Sequence, residues 1–168
     1  MPTIRPAEPK DLDAIVDIYN HYVTTTHFTF DTEAFTTEAR RPWFDQFDGA
    51  RYRCLVLVGG GGVVGYANSA AFKPKAAYAT SVEVSIYLAP GATGRGAATP
   101  LYAALFSALA GQDVHRAYAL IALPNDASIA FHKRFGFTEV AHLNEVGRKF
   151  DRYWDVAYFE KRLNERSG

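Results

Sequence analysis

The chain has 168 residues, with eighteen basic and eighteen acidic side chains, so its formal net charge at pH 7 is zero. This balance argues against a nucleic-acid partner, which would call for a basic excess. With 48% hydrophobic and 21% charged residues, the composition predicts one globular domain over 1–168. No apolar run is long enough to span a membrane, and the N-terminal segment has no apolar signal core, so we expect a cytoplasmic protein without a membrane partner.

Thiol and metal chemistry find little support in the sequence. The single cysteine, Cys54, lies in the apolar stretch CLVLV, which predicts a small buried residue rather than a nucleophile. The histidines at 21, 27, 115, 132 and 142 show no metal-ligand spacing. We therefore expect no metal and a reducing compartment.

The first half of the chain predicts a strand, two helices and a hairpin. Glycines 59–62 read as the hairpin turn, and an aromatic loop, TTTHFTFDTEAF, joins the helices. In chain order the predicted elements are a strand at Thr3–Arg5, a helix over Asp11–Thr24, a helix capped by Thr36 and running through Phe47, and strands at Arg53–Val58 and Val63–Ala71. Pro42 is expected either to kink the second helix or to delay its start.

The second half alternates strands with helices. The predicted elements are a strand at Thr80–Leu88, a helix over Gly94–Ala110, a strand at Arg116–Ala122, a helix over Asn125–Phe135 closed by Gly136, and strands at Phe137–Val146 and Arg152–Leu163 joined by GRKFD. The order βααβββαβαββ predicts an α/β (α+β) fold in which a mixed sheet of about seven strands carries helices on its faces.

The stretch GATGRGAA, residues 91–98, lies between a predicted strand and a predicted helix. It lacks the lysine of a P-loop and the third glycine of a dinucleotide fingerprint. Small residues before a helix leave unpaired N–H groups that suit a pyrophosphate. A tight turn without a ligand explains the same glycines, so this stretch alone leaves both readings open.

A second polar feature opens the helix NDASIAFHKRF. Asn125, Ser128 and His132 follow at intervals of three and four, which places them on one helix face. By itself His132 fits a structural histidine as well as a catalytic one.

Together these segments resemble the GNAT superfamily of N-acetyltransferases, and within it the phosphinothricin and methionine sulfoximine (sulfone) acetyltransferases. The resemblance covers nearly the whole chain, through IRPAEPKDLDAIVDIYNHYV, VEVSIYLAPGATGRGAATPLY, NDASIAFHKRFGF and VGRKFDRYWDVAYFEKRL. The superfamily's phosphate pattern, Q/R-x-x-G-x-G/A, aligns with residues 93–98, except that Thr93 replaces the usual first residue. The resemblance implies the GNAT fold, with a mostly antiparallel central sheet and helices on both faces.

The resemblance implies acetyl-CoA as acetyl donor. Backbone groups of Ile86, Tyr87 and Leu88 would pair with its pantetheine arm like an added strand. The remaining implied cofactor-binding residues form the phosphate turn and the start of the following helices: Gly94, Arg95, Gly96, Ala97, Ala98, Thr99, Asn125 and Ser128.

The chemistry of acetyl transfer gives roles to a few side chains. The resembled enzymes place a glutamate at position 83 near the acceptor amine, so Glu83 is predicted as general base, directly or through a water. His132 is the second catalytic candidate, as proton donor to sulfur or as partner in deprotonation, and the sequence does not separate the two. Backbone N–H groups around Val84 and Ser85 are predicted to stabilise the oxyanion.

The acceptor is predicted to be a small anionic amine, such as phosphinothricin, methionine sulfoximine or methionine sulfone. Lys73 and Lys75 stand where such enzymes carry an Arg-x-Arg pair, which keeps the charge but loses the bidentate fork. Phe28, Phe30 and Tyr78 are predicted to wall the acceptor pocket, and core or interface packing explains these aromatic residues equally well.

In related enzymes the last hairpin often forms a dimer that completes the site. Here that hairpin contains Arg148, Lys149 and Tyr153, so we expect a homodimer. Two alternatives stay open: acetylation of a protein N-terminus or lysine, and a non-catalytic acyl-CoA-binding dimer.

Overall fold

The computed structural model describes residues 1–164, whose strands form a seven-stranded sheet in the order β1-β2-β3-β4-β5-β7-β6. The strands are β1 (Thr3–Pro6), β2 (Cys54–Gly59), β3 (Gly62–Ala71), β4 (Ser81–Leu88), β5 (Arg116–Ala122), β6 (Thr138–Lys149) and β7 (Arg152–Arg162). The helices are α1 (Leu12–Thr25), α2 (Thr37–Asp45), α3 (Ala98–Leu109) and α4 (Asp126–Arg134). Element order and strand number are those predicted from the sequence.

One strand pair in the sheet is parallel, β4 with β5, and it is short. Its register covers Ser81↔Arg116, Val82↔Ala117 and Glu83↔Tyr118, whereas the antiparallel pair β3–β4 continues to Leu88. The two parallel strands therefore separate after Glu83, and a cleft opens in the sheet.

Apolar side chains fill both faces of the sheet. On one face Leu101, Leu105 and Leu109 of α3 pack against alternate residues of β4 and β5. On the other face, Ile15 and Ile18 of α1 pack among residues of β2 and β3. Helices on both faces of a mostly antiparallel sheet are the predicted arrangement.

Cys54 is buried on the α1 side of the sheet, as its apolar neighbours predict. Burial raises the pKa of its thiol to about 12, which suppresses the reactive thiolate.

Two predicted helix boundaries are wrong by two or more residues, and the others lie within one residue of the observed ends. The side chain of Thr36 caps α2 as predicted, accepting from Ala39 N at 3.1 Å, but the helix ends at Asp45 and not at Phe47. Helix α3 begins at Ala98 and not at Gly94, because Gly94 and Gly96 have φ values of 70° and 76°, outside the right-handed helical region.

The connection between the last two strands is also shorter than predicted. Strand β6 continues through three residues of GRKFD to Lys149, and the turn consists of Phe150 and Asp151, with φ values of 54° and 57°. Register shifts in β6 accommodate the extra length. The described residues contain no helix that is both long and apolar enough to cross a membrane.

Candidate active site

A cavity of about 380 Å³ occupies the cleft between β4 and β5. Its walls come from five segments of the chain. They are Val84–Leu88 of β4, Ala119–Ala122 of β5, the turn residues Thr93, Gly94 and Gly96, the helix residues Ala98, Thr99, Asn125, Ser128 and His132, and Tyr22 with Phe28 on the α1 side. The structure thus brings most of the predicted cofactor residues to one cavity.

The backbone of β4 is exposed along this cleft. Past Glu83 the strand has β3 on one edge and, in the register of the described residues, no strand on the other. Ile86, Tyr87 and Leu88 line the cavity there, and the carbonyl of Leu88 accepts a hydrogen bond from the Tyr22 hydroxyl at 2.5 Å. An extended ligand can pair with this edge as an added strand would.

The glycine turn closes one end of the cleft at the start of α3. An added Cβ at Gly94 or Gly96 would have no atom within 4 Å, so it is the positive φ that requires glycine there. Unpaired N–H groups at a helix start, together with the helix dipole, favour an anion at this position. Arg95 and Ala97, also predicted to bind cofactor, are not among the lining residues.

Thr93, the departure from the superfamily pattern, lines the cavity but turns its hydroxyl away. Its Oγ1 donates to the carbonyl of Pro90 at 2.9 Å, within its own turn. The anion site therefore depends on backbone groups of the turn rather than on this side chain.

Helix α4 begins beside the same cavity. Asn125 is its N-cap, with the side-chain oxygen accepting from Ser128 N at 3.2 Å, so the predicted helix starts one residue later, at Asp126. Gly136, with a φ of 85°, follows the helix end as predicted.

His132 is buried at the cavity wall, with both ring nitrogens in hydrogen bonds. Nδ1 lies 2.8 Å from the carbonyl of Ser128, which only accepts, so Nδ1 carries the proton. In the neutral ring Nε2 then accepts from the Tyr102 hydroxyl at 3.0 Å. Burial lowers the pKa of His132, so the neutral form is favoured.

Glu83 stands where β4 and β5 separate, next to the lining residues Val84 and Ser85. Successive side chains of β4 point to opposite faces of the sheet, and Val82 and Val84 pack on the α3 side. Glu83 therefore lies on the face opposite α3, as the sequence predicts. Burial raises the pKa of its carboxyl, and the positive charge of Lys73 partly offsets this.

The predicted acceptor residues divide into three groups, because Glu83 is half-buried and lies beside the cavity without lining it. Phe28 and the β4 residues Val84 and Ser85 line the cavity. Lys73, Lys75 and Tyr78 are exposed around a 3₁₀ turn between β3 and β4 and do not line it.

Comparison with known proteins gives the acetyltransferase family that the sequence resembles, along almost the whole chain. Residues 4–158 match the acetyltransferase (GNAT) domain family. The chain is 53% identical to a phosphinothricin N-acetyltransferase of Streptomyces coelicolor over 163 residues, which cover 95% of each protein. It is also 32% identical to an L-methionine sulfoximine/L-methionine sulfone acetyltransferase of Salmonella typhimurium, covering 97% of this chain and 95% of that protein.

A solved structure shows the same fold. It is a GNAT superfamily phosphinothricin acetyltransferase from Sinorhizobium meliloti in complex with acetyl-CoA, with a TM-score of 0.93 and 30% identity, covering 99% of this chain and 90% of that one. The chain belongs to the GNAT acetyltransferase family. The predicted family, fold and enzyme class are confirmed, and the predicted acetyl donor agrees with that complex.

Two contacts of this acetyltransferase are not predicted by its sequence pattern. Tyr102 of α3 reaches His132 of α4, thirty residues further on, and Lys149 reaches the loop that carries Phe28. Tyr102 lies in the apolar stretch PLYAALFSAL, and nothing in that pattern marks a polar contact.

Proposed function

We propose that this enzyme transfers the acetyl group of acetyl-CoA to the amine of a small molecule, an amino-acid analogue such as phosphinothricin, methionine sulfoximine or methionine sulfone. The observation that carries the proposal is the position of Glu83, a half-buried carboxylate at the point where the cleft opens between β4 and β5. The two curated relatives named above support the acceptor class by their names.

The residues present fit acetyl-CoA. The free edge of β4 at Ile86–Leu88 suits a pantetheine arm, and the glycine turn before α3 suits a pyrophosphate, both in one cavity. Asn125 and Ser128 border the same space at the start of α4. When bound there, acetyl-CoA supplies an acetyl thioester with a thiolate leaving group.

Glu83 is the proposed general base. An acceptor ammonium gives one proton to the carboxylate, directly or through a water, and the freed amine nitrogen attacks the acetyl carbon. As the carbon–sulfur bond breaks, the nitrogen gives up a second proton to the departing thiolate, so the products are the amide and the free thiol of CoA. Of the backbone N–H groups at Val84 and Ser85, the one that points away from β3 stabilises the negative charge that develops on the carbonyl oxygen. The raised pKa of Glu83 makes the carboxylate a stronger base than an exposed glutamate.

His132 is the second proposed catalytic residue. Its lowered pKa favours a neutral imidazole at pH 7, which suits a partner in deprotonation better than a proton donor to sulfur. Its Nε2 is the accepting atom and is held by Tyr102.

A homodimer in the cytoplasm completes the proposal. The last hairpin exposes Val140 and Val146 on the edge strand β6, Phe150 in the turn and Tyr153 at the start of β7, each at least half accessible. Such an apolar edge suits a second copy of the chain. Light scattering after size exclusion tests it: we expect twice the chain mass of 18.6 kDa, and a monomer at micromolar concentration contradicts it.

A coupled thiol-release assay tests the activity. Methionine sulfone, methionine sulfoximine, phosphinothricin, common amino acids and N-terminal peptides serve as acceptors, and calorimetry measures acetyl-CoA binding separately. We expect turnover with the small acceptors and a loss of about 10²- to 10⁴-fold in kcat for Glu83→Gln at unchanged cofactor affinity. Cofactor binding without thiol release for any amine contradicts the proposal.

A further inference from the structure

Asn68 is a buried polar residue in the middle of β3, with 5% of its surface exposed. It lies directly opposite Ser85 of β4 in the antiparallel register, and Ala70 lies opposite Glu83. Since strand residues two apart face the same side, Asn68, Ser85 and Glu83 share one face of the sheet.

The carboxamide of Asn68 has no hydrogen-bond partner among residues 1–164. Most buried polar side chains do have a partner, and the adjacent buried Ser69 is an example. Its Oγ donates to the carbonyl of Arg51 at 2.7 Å and accepts from the N–H of Arg53 at 3.0 Å. Hydrogen bonds to the backbone therefore account for the burial of the Ser69 hydroxyl, whereas no such bond accounts for the burial of the Asn68 amide.

The amide of Asn68 is also not sealed inside the core. Within the described part of the chain, the one fully enclosed side-chain N or O atom without a partner belongs to Arg116. The two polar atoms of Asn68 therefore retain some accessible surface, although the residue as a whole is buried. Asn68 is not itself among the residues that line the cavity, but this remaining surface is open to solvent or to a ligand group beside Ser85.

The surroundings of Asn68 point to the acceptor side of the site. Ser85, its cross-strand neighbour, lines the cavity, and opposite residues of paired strands have Cβ atoms about 5 Å apart. Glu83 is the diagonal neighbour, about 7 Å away by the same geometry. An α-amino acid holds its nitrogen and its carboxylate close enough together to contact both side chains at once.

We propose that Asn68 is an acceptor-binding residue whose carboxamide hydrogen-bonds the polar group on the carbon next to the reacting amine, while Glu83 receives the proton. A carboxamide offers two donors and one acceptor oxygen, which suits a carboxylate. The preferred acceptors are then α-amino acids and their analogues rather than simple alkylamines. This inference rests on the proposed function and names a residue of the same site.

The test compares Asn68→Leu, close to asparagine in size, with Ser69→Ala on the same strand. Methionine sulfone and the matching amine without the carboxylate, 3-(methylsulfonyl)propylamine, serve as acceptors. For Asn68→Leu we expect kcat/KM for methionine sulfone to fall at least tenfold, mainly through KM. We expect less than a twofold change for the amine and for the KM of acetyl-CoA.

The two variants are expected to differ in stability as well. Asn68→Leu removes an unpaired buried amide, so its Tm stays at or above that of the wild type, whereas Ser69→Ala breaks two hydrogen bonds and lowers Tm without changing acceptor KM. If Asn68→Leu does not fold, Asn68→Ser gives the same readouts. Unchanged kcat/KM for methionine sulfone, or an equal loss for both acceptors, overturns the role of Asn68.

Failure of the proposed function is a separate result. If the wild type releases no thiol with any amine, calorimetry with methionine sulfone in the presence of CoA decides the role of Asn68. Binding to the wild type that is lost in Asn68→Leu supports it, and equal binding, or none to either protein, overturns it.

Discussion

Lys149 donates a hydrogen bond from its Nζ to the backbone carbonyl of Thr29, 120 residues earlier in the chain, at 2.8 Å. Lys149 ends β6, and Thr29 follows Phe28, which lines the cavity. Two residues before Lys149, the ring of Phe30 packs so closely on Gly147 that an added Cβ would collide with it. The last hairpin therefore fixes the loop that carries Phe28 on the acceptor side of the site.

Replacing Lys149 with methionine tests this link. The change leaves the Thr29 carbonyl without its donor, and a hydrogen bond to a charged group contributes about 1.5–3 kcal/mol. We expect a lower free energy of unfolding and an acceptor KM raised several-fold, with the KM of acetyl-CoA unchanged. Urea denaturation and steady-state kinetics measure both effects.

Arg148→Met is the matched control for Lys149→Met. Arg148 is adjacent, exposed, and paired with the fully exposed Asp151 at 3.6 Å, and such surface pairs contribute little. Equal effects of the two substitutions on acceptor KM would show that the link to Thr29 has no influence on the site.

The glycine turn gives a prediction for the cofactor alone. Gly96→Ala places a Cβ in open space but at a φ of 76°, which costs about 1–2 kcal/mol for an L residue. We expect the turn to relax away from this conformation and the Kd of acetyl-CoA to rise about tenfold, measured by calorimetry. Gly91→Ala, in the same segment with open space and no positive φ, is expected to bind normally.

The pH dependence of the reaction is set by Glu83 if it is the base. Burial raises its pKa, so kcat/KM increases with pH through a value above that of an ordinary glutamate. The charge of Lys73 acts in the opposite direction, so Lys73→Met raises the pKa of Glu83 further and moves the acidic limb of the profile to higher pH. Lys75→Met is the control, since Lys75 is not among the groups that shift Glu83. A limb unmoved by Lys73→Met would argue against Glu83 as the titrating group.

Local sequence signals predicted the parts of the fold that depend on neighbouring residues. The positions of the strands, the cap at Thr36 and the left-handed Gly136 follow from patterns a few residues long. The length of the β4–β5 pairing does not follow from such patterns, because the sequence of neither strand shows that the pairing ends after three residues. The contacts of Lys149 with Thr29 and of Tyr102 with His132 are equally long-range, so spacing rules for helices and strands do not reveal them.

The hydrogen bond between Tyr102 and His132 is expected to influence both the stability of the protein and the protonation of the imidazole. The carbonyl of Ser128 holds the proton on Nδ1, and the Tyr102 hydroxyl donates to Nε2, so one neutral tautomer of His132 is favoured. In Tyr102→Phe the Nε2 atom loses its donor, which is expected to lower the free energy of unfolding by about 1 kcal/mol. We also expect the ¹⁵N signal of Nε2 to move toward that of an unbonded imidazole nitrogen.

Tyr118→Phe is the control for Tyr102→Phe. The hydroxyl of Tyr118 donates to Glu160 and not to His132, so its removal leaves the Nε2 signal in place. If kcat falls in Tyr102→Phe while the KM of acetyl-CoA is unchanged, the hydrogen bond to Nε2 supports a proton transfer by His132. An unchanged kcat would make the pair a packing contact of α3 with α4.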